Sequence, residues 1–322
     1  MAYLVGTDEA GYGPNLGPLV ISATVWRIED GASTHDLYKL LRRAITAKPP
    51  PRTVTRSRRV VLADSKTVYS PDRGLALLER GVLTMLAVAG RPVGTWREAW
   101  QALAPESLIE LDREAWSAGY DAPLPADDRC GEVAKAAERV RAALAEAGVE
   151  LIDVRSRAIF ASRWNSLLDE GTKGAALSNL TFELLCAMLR KFDGSAVSVI
   201  CDKHGGRNRY QALLQPHVGE WLVEVYGESR RESMYRWGPD GGRTQVCFRP
   251  RAEAHLPAAL ASMASKYLRE LAMRAFNAFW CARVPKLRPT AGYPRDARRF
   301  KRAIEPVQAE LGIEDVHLWR VR

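Results

Sequence analysis

No two of the five cysteines (Cys130, Cys186, Cys201, Cys247 and Cys281) are spaced as C-x-x-C. The pattern argues against a disulfide frame and against a zinc site, and for reduced thiols in a cytoplasmic protein. No apolar run reaches membrane-spanning length and no secretory signal opens the sequence, so neither a membrane partner nor export is expected. Residues 88–148 hold no motif, although helical patterns fall there, the clearest over residues 132–147, rich in alanine and charge. Acids are outnumbered by bases, 38 to 47, which leaves a net charge of +9 and a pI of about 9.4. A basic balance suits a polyanionic partner, although many basic proteins bind nothing anionic. What remains is 322 residues with 47% hydrophobic content, enough for one large domain or two small ones around a real core.

The start of the chain organises the rest. Tyr3-Leu4-Val5-Gly6-Thr7 is short, apolar and β-prone, and reads as a buried strand ending at Asp8-Glu9. Successive strand residues face opposite sides, so a regular strand aims only one of the two carboxylates at a given point. Gly11 and Gly13 follow, with the freedom to turn the chain so that both acids reach one centre. Neighbouring carboxylates repel unless a cation compensates. Taken alone, the pair reads equally as a solvated acidic turn. A second strand is expected over residues 19–26, a helix from His35 to Ile45, and a basic loop with Arg52, Arg56, Arg58 and Arg59 beyond the turn at Asp30-Gly31.

Further along, Val60-Val61-Leu62 reads as a strand running into Asp64-Ser65-Lys66. Ser65 and Lys66 can donate to a phosphate, and Asp64 can hold the loop or cap the following helix. Residues 150–154 and 196–201 are strand candidates. The second of these is nearly continuous in apolar residues, as for a strand covered on both faces. It ends in Asp202, so a carboxylate again closes a buried strand, and Gly205 and Gly206 follow. Arg207 and Arg209 then stand as phosphate contacts or as a solvated helix start. His204 reads as a loop hydrogen-bonder that could shuttle protons beside a metal. Three strands are expected over residues 221–226, 232–237 and 244–249, as an antiparallel excursion. The longest helix starts at Pro257, which suits a first turn. On it Ser262, Lys266 and Glu270 share a face. Lys266 and Glu270 also read as an i,i+4 ion pair, in the less favourable order. Residues 283–302 hold eight Lys or Arg and one acid, Asp296, with Tyr293 inside, a pattern for backbone contact and stacking or for a solvated charged helix.

Asp8-Glu9-Ala10-Gly11-x-Gly13-Pro14-x-x-Gly17-Pro18 resembles the opening signature of the type 2 ribonucleases H, ribonuclease HII and ribonuclease HIII. Asp64-Ser65-Lys66, the strand ending in Asp202, residues 261–270 and Gly292-Tyr293-Pro294 resemble later family segments, in family order. The resemblance implies a single domain with a ribonuclease H-like α/β fold, a central mixed β-sheet flanked by helices. Residues 88–148 would be a helical insertion and 283–322 a basic C-terminal segment. It implies a metal-dependent endonuclease, expected as a monomer, that cleaves RNA in RNA/DNA hybrids or at ribonucleotides embedded in duplex DNA. The products would be 3′-hydroxyl and 5′-phosphate ends. Asp8, Glu9, Asp202 and Glu270 would be catalytic and hold two ions, Mg2+ or Mn2+, about 4 Å apart, with Asp8 bridging. Gly11, Tyr12, Gly13, Ser65, Lys66, Arg207, Arg209, Lys266 and Tyr293 would bind the nucleic acid, whose 2′-hydroxyl separates it from DNA. Two departures stand out. Tyr12 occupies the place where ribonuclease HII usually carries arginine between two glycines, and Glu270 replaces the usual aspartate. The alternatives are a nucleic-acid-binding protein of the same fold without activity and a related metal-dependent DNA nuclease.

Overall fold

The computed structural model describes residues 2–29, 36–51, 58–70, 72–192 and 194–321. The turn at Asp30-Gly31, the helix start at His35, and Arg52 and Arg56 lie outside them. Among the described residues there are nine strands: β1 Ala2–Ala10, β2 Leu19–Ile28, β3 Ile45–Thr46, β4 Val60–Val61, β5 Val149–Ile159, β6 Ala196–Cys201, β7 Glu224–Glu228, β8 Ser233–Trp237 and β9 Thr244–Phe248. The helices are α1 Leu37–Leu40, α2 Ser65–Val68, α3 Ala76–Val88, α4 Trp96–Leu103, α5 Leu108–Arg113, α6 Val133–Glu146, α7 Ala161–Asp169, α8 Lys173–Leu189, α9 Gln211–Leu214, α10 Leu256–Arg283, α11 Pro294–Glu310 and α12 Asp315–Leu318.

Seven strands form one sheet in the order β5-β2-β1-β6-β9-β8-β7, and β3 pairs with β4 separately. β1 is parallel to β6, and β6 to β9, whereas β2 runs antiparallel to both β1 and β5. This is the central mixed sheet flanked by helices that the resemblance implied. β7, β8 and β9 are the expected antiparallel excursion, although Trp221 lies ahead of β7 rather than in it.

Apolar residues occur on both sides of the central strands because helices cover both faces. Leu4, Val20 and Trp26 pack with Leu260, Met263 and Tyr267 of α10. Val5, Val25, Val199 and Val246 pack with Phe182 and Leu185 of α8. α10 lies close against β1 at Gly6, where any Cβ would overlap the backbone of Pro257 and Ala258. Thr24 Oγ1 reinforces this seat by donating to Pro257 O at 2.8 Å.

Residues 88–148 hold α4, α5 and α6. Trp96, Trp100, Leu103, Val140 and Leu144 share the α10 core. Buried Glu79 ties the segment down. Its carboxylate accepts from the N–H groups of Ala126 and Asp127, each at 2.9 Å, and from Tyr267 OH at 2.8 Å. The basic stretch after α10 is not a free tail. Phe300 and Ile304 of α11 pack on Phe276 and Trp280, while Arg295, Arg298 and Arg302 are exposed.

Candidate metal centre and nucleic-acid interface

β1 continues through Asp8 and Glu9 to Ala10, in unbroken register with β2 (Asp8↔Ser22, Glu9↔Ile21, Ala10↔Val20). The strand does not stop at Asp8, as the sequence had suggested, and the two carboxylates leave it on opposite faces. Asp8 faces α10, where Ser262 hydrogen-bonds its carboxylate. Ser265 Oγ donates to Asp8 O at 3.0 Å. Asp202 follows the last residue of β6, the parallel neighbour of β1, which puts it level with Asp8 (Thr7↔Cys201). The three acids therefore act on one another across a strand end. Burial and then the Glu9 charge hold Asp8 well above the usual carboxylate range, and Asp202 adds to this. Burial and Asp202 push Glu9 up to about 7, against the pull of Lys66. Burial raises Asp202 as well, while the N–H groups of Lys203, Ala252 and Arg251 and the charge of Lys66 work the other way.

The structure separates the fourth acid from this group. Glu270 Oε1 pairs with Lys266 Nζ at 2.5 Å and Oε2 accepts from Tyr69 OH at 2.8 Å. Lys266 Nζ also stands 4.5 Å above the Tyr69 ring. Eight helical residues, about 12 Å along the axis, separate Glu270 from Ser262. The carboxylate that does approach is Glu253, in the turn Ala252–Ala254 that leads into α10. It is raised by burial and by the charges of Asp202 and Asp64, and lowered by Lys66. Arg251, before it, adopts φ 61, a left-handed conformation uncommon for a side-chain-bearing residue. That turn directs the Arg251 and Ala252 N–H groups onto Asp202. Glu253 is the only acid between 249 and 261, an isolated carboxylate at a helix entrance, and that was the available signal.

The opening loop sits beside these acids. Gly11 has φ +88, and a Cβ there would lie 2.5 Å from Pro18 O, so glycine is required. Gly13 is not in that region and has open space around it. The Tyr12 ring lies edge-on to Trp164 at 6.2 Å with Lys173 Nζ 4.4 Å above it. Its hydroxyl is raised by burial and by Glu9, and lowered by Arg207. Arg207 is thus near Tyr12, and its buried Nε has no hydrogen-bond partner among the described residues. Arg209 instead is exposed and pairs with Glu228 at 3.7 Å. Lys66 is exposed at the acids, whereas Ser65 is buried with its Oγ 3.1 Å from Ser262 Oγ. Asp64 caps α2, accepting from Lys66 N at 3.1 Å. Tyr293 is 54% exposed, at the N-cap of α11. His204 is buried, with Nδ1 2.9 Å from Ser178 Oγ, and burial takes it down to about 3. It is a neutral structural histidine and not a proton carrier at neutral pH.

The donor chemistry fits a hard divalent cation, because the groups are carboxylates that raise one another's affinity for protons. Among the described residues, no three His, Cys, Asp or Glu side chains are already set to hold a metal. A cleft of about 490 Å³ opens beside Asp202 and Glu253, walled by Lys203, Arg230 and Arg251. Larger cavities, of about 700 and 740 Å³, are lined by other residues.

The fold and site define a mixed-sheet α/β protein with a carboxylate group gathered at the ends of adjacent parallel strands. Known structures to which it is similar include a complex of PCNA and RNase HII from Archaeoglobus fulgidus, 14% identical with a TM-score of 0.46 over 99% of this chain and 94% of that one. Another is ribonuclease H2 from Pyrococcus horikoshii OT3, 14% identical with a TM-score of 0.42 over 98% and 92%. A third is Bst-RNase HIII in complex with Mn2+, 13% identical with a TM-score of 0.41 over 99% and 66%. No protein-family model and no curated protein sequence matches the chain.

Proposed function

We propose that this chain is a divergent type 2 ribonuclease H, a metal-dependent endonuclease acting on RNA paired with DNA. The observation that carries the reading is the parallel pairing of β1 with β6, which sets Asp202 level with Asp8 and next to Glu9, with Glu253 beside Asp202. A protein that only bound nucleic acid would gain nothing from buried carboxylates next to a phosphate. These four acids, rather than the set with Glu270, would hold the cation. A bound divalent cation supplies the charge that polarises the scissile phosphate and its attacking water.

The other residues have roles of their own. Lys66, the cation acting on Glu9, Asp202 and Glu253, would bind a flanking phosphate. Arg207 would hold a second phosphate beside Tyr12. The Tyr12 ring, braced by Trp164 and Lys173, would pack on a sugar, and the loop amides would face the 2′-hydroxyl. Tyrosine cannot make the forked, always-charged contact of arginine, so weak preference for a single embedded ribonucleotide is expected. Lys266 is engaged by Glu270 and Tyr69 and is the least available of the sequence candidates for phosphate.

The test is incubation with matched duplexes in Mg2+ and in Mn2+: an RNA/DNA hybrid, a DNA duplex with one ribonucleotide, and DNA alone. Cleavage of the hybrid to 3′-hydroxyl and 5′-phosphate ends is expected. Cleavage of plain DNA would assign a DNA nuclease, and binding of the hybrid without cleavage would assign a binding protein.

A further inference from the structure

Carbonyl groups of the opening loop are turned inward onto two buried guanidinium groups. Arg269 donates from Nη1 to Pro18 O at 3.4 Å and from Nη2 to Leu16 O at 3.2 Å and Ala291 O at 2.9 Å. Arg320, at the other end of the sequence, donates from Nη2 to Gly11 O and to Pro14 O. Arg320 is 1% exposed. Its backbone is stitched to the same loop, N–H to Asn15 O at 2.8 Å and C=O to Asn15 Nδ2 at 2.8 Å. The flanking residues are pinned to α7, where Asn165 Nδ2 donates to Trp319 O at 2.9 Å and Trp164 Nε1 to Val321 O at 3.1 Å.

This arrangement is a costly way to pack a core. Arg320 Nε and Nη1 have no hydrogen-bond partner among the described residues. Burial and the nearby Arg269 charge bring its guanidinium down to about 9. A cation buried against carbonyl oxygens and the Trp164 ring, 5.5 Å away, costs more than an apolar side chain filling the same space. The contacts that Arg320 does make point to its use. In a trans peptide the C=O and the following N–H lie in one rigid plane and point in opposite directions. A Gly11 carbonyl held inward therefore turns the Tyr12 N–H away from the core.

We propose that Arg320 is a positioning residue that, by gripping the Gly11 and Pro14 carbonyls, presents the Tyr12 N–H as a fixed donor to a ribose hydroxyl of the nucleic acid. The inference rests on the ribonuclease H reading of the site. Specificity for ribose then depends on a residue more than 300 positions from the loop it orients.

The experiment compares wild type, Arg320→Gln and Arg320→Lys for three readouts. They are kcat and KM on an RNA/DNA hybrid, the hybrid-over-DNA binding preference in Ca2+, and amide exchange at Tyr12. Loss of a charge-assisted contact predicts roughly a tenfold rise in KM and a similar fall in preference for Arg320→Gln, with kcat changed far less. Arg320→Lys should not restore either, because its shorter side chain does not carry the ammonium to the place from which Nη2 reaches both carbonyls. Methylguanidinium should partly rescue Arg320→Ala. A folded Arg320→Gln protein with unchanged KM and unchanged preference overturns the proposal. If wild type neither cleaves nor prefers the hybrid, the ribonuclease reading fails by itself. The gripping role is then decided by Tyr12 amide exchange, faster in Arg320→Gln if it holds and unchanged if it does not. Should Arg320→Gln not fold, the same exchange measurement on Arg320→Lys decides.

Discussion

Exchanging one carboxylate at a time separates the two candidates for the fourth acid. Glu253→Gln removes a group that shares the field of Asp202 and Lys66. If Glu253 holds the cation, its loss removes roughly 3 kcal/mol of transition-state stabilisation and about a hundredfold in kcat. Folding should not suffer, because the charge removed is repelled by Asp202 and Asp64. Glu270→Gln should do the opposite. It breaks a pair whose side chains are each only 18% exposed, weakens the bond from Tyr69, and leaves Lys266 half-buried without its counter-ion. That costs about 1–3 kcal/mol of stability. Cleavage should fall less than tenfold, since Glu270 stands about 12 Å along α10 from the Ser262 that bonds Asp8. The assay is hybrid cleavage over a Mg2+ titration, with urea unfolding of both variants in the absence of metal. Glu253→Gln should also need more Mg2+ for half-maximal rate. An inactive but stable Glu270→Gln beside a fully active Glu253→Gln would refute the assignment.

Two further outcomes follow from the packing and the charges. Gly6→Ala would drive a methyl group into the Pro257–Ala258 backbone and should cost about 3 kcal/mol or more of stability in urea unfolding. Because α10 carries Ser262 and Ser265 to Asp8, cleavage should fall with it, and a stable, fully active Gly6→Ala would contradict the close seat of α10 on β1. Glu9 is raised from 4.5 to about 7 in the folded chain, so the folded state holds its proton more tightly than the unfolded state. Its contribution is fully present below pH 4.5 and is lost as pH rises to about 7. The loss amounts to about 3 kcal/mol in metal-free protein, and Glu9→Gln should flatten the profile across that window.

Much of this molecule is legible in its residues. Leu4 and Val5 on adjacent positions of β1, both buried, already require a sheet covered on two faces, and the apolar run of β6 says the same. Pro257 marks the first turn of α10, and Asp202 stands where a buried strand ends. These are local signals, set by periodicity and backbone preference over a few residues.

Which acids meet is not a local property. Spacing put Glu270 on one face with Ser262, but pitch carried it two turns up the helix to Tyr69, a partner 201 positions away. Glu253 is an isolated acid in sequence, and only β6 and the turn at left-handed Arg251 bring it to Asp202. Strand geometry forbade Asp8 and Glu9 from pointing the same way, and only the parallel pairing of β1 with β6 gave both a common neighbour. Arg320 reads in sequence as one more basic residue of the last segment. Its place beneath the Gly11 loop is decided by chain closure over 309 positions, because hydrogen bonds to backbone carbonyls leave no mark on the residue types that supply them.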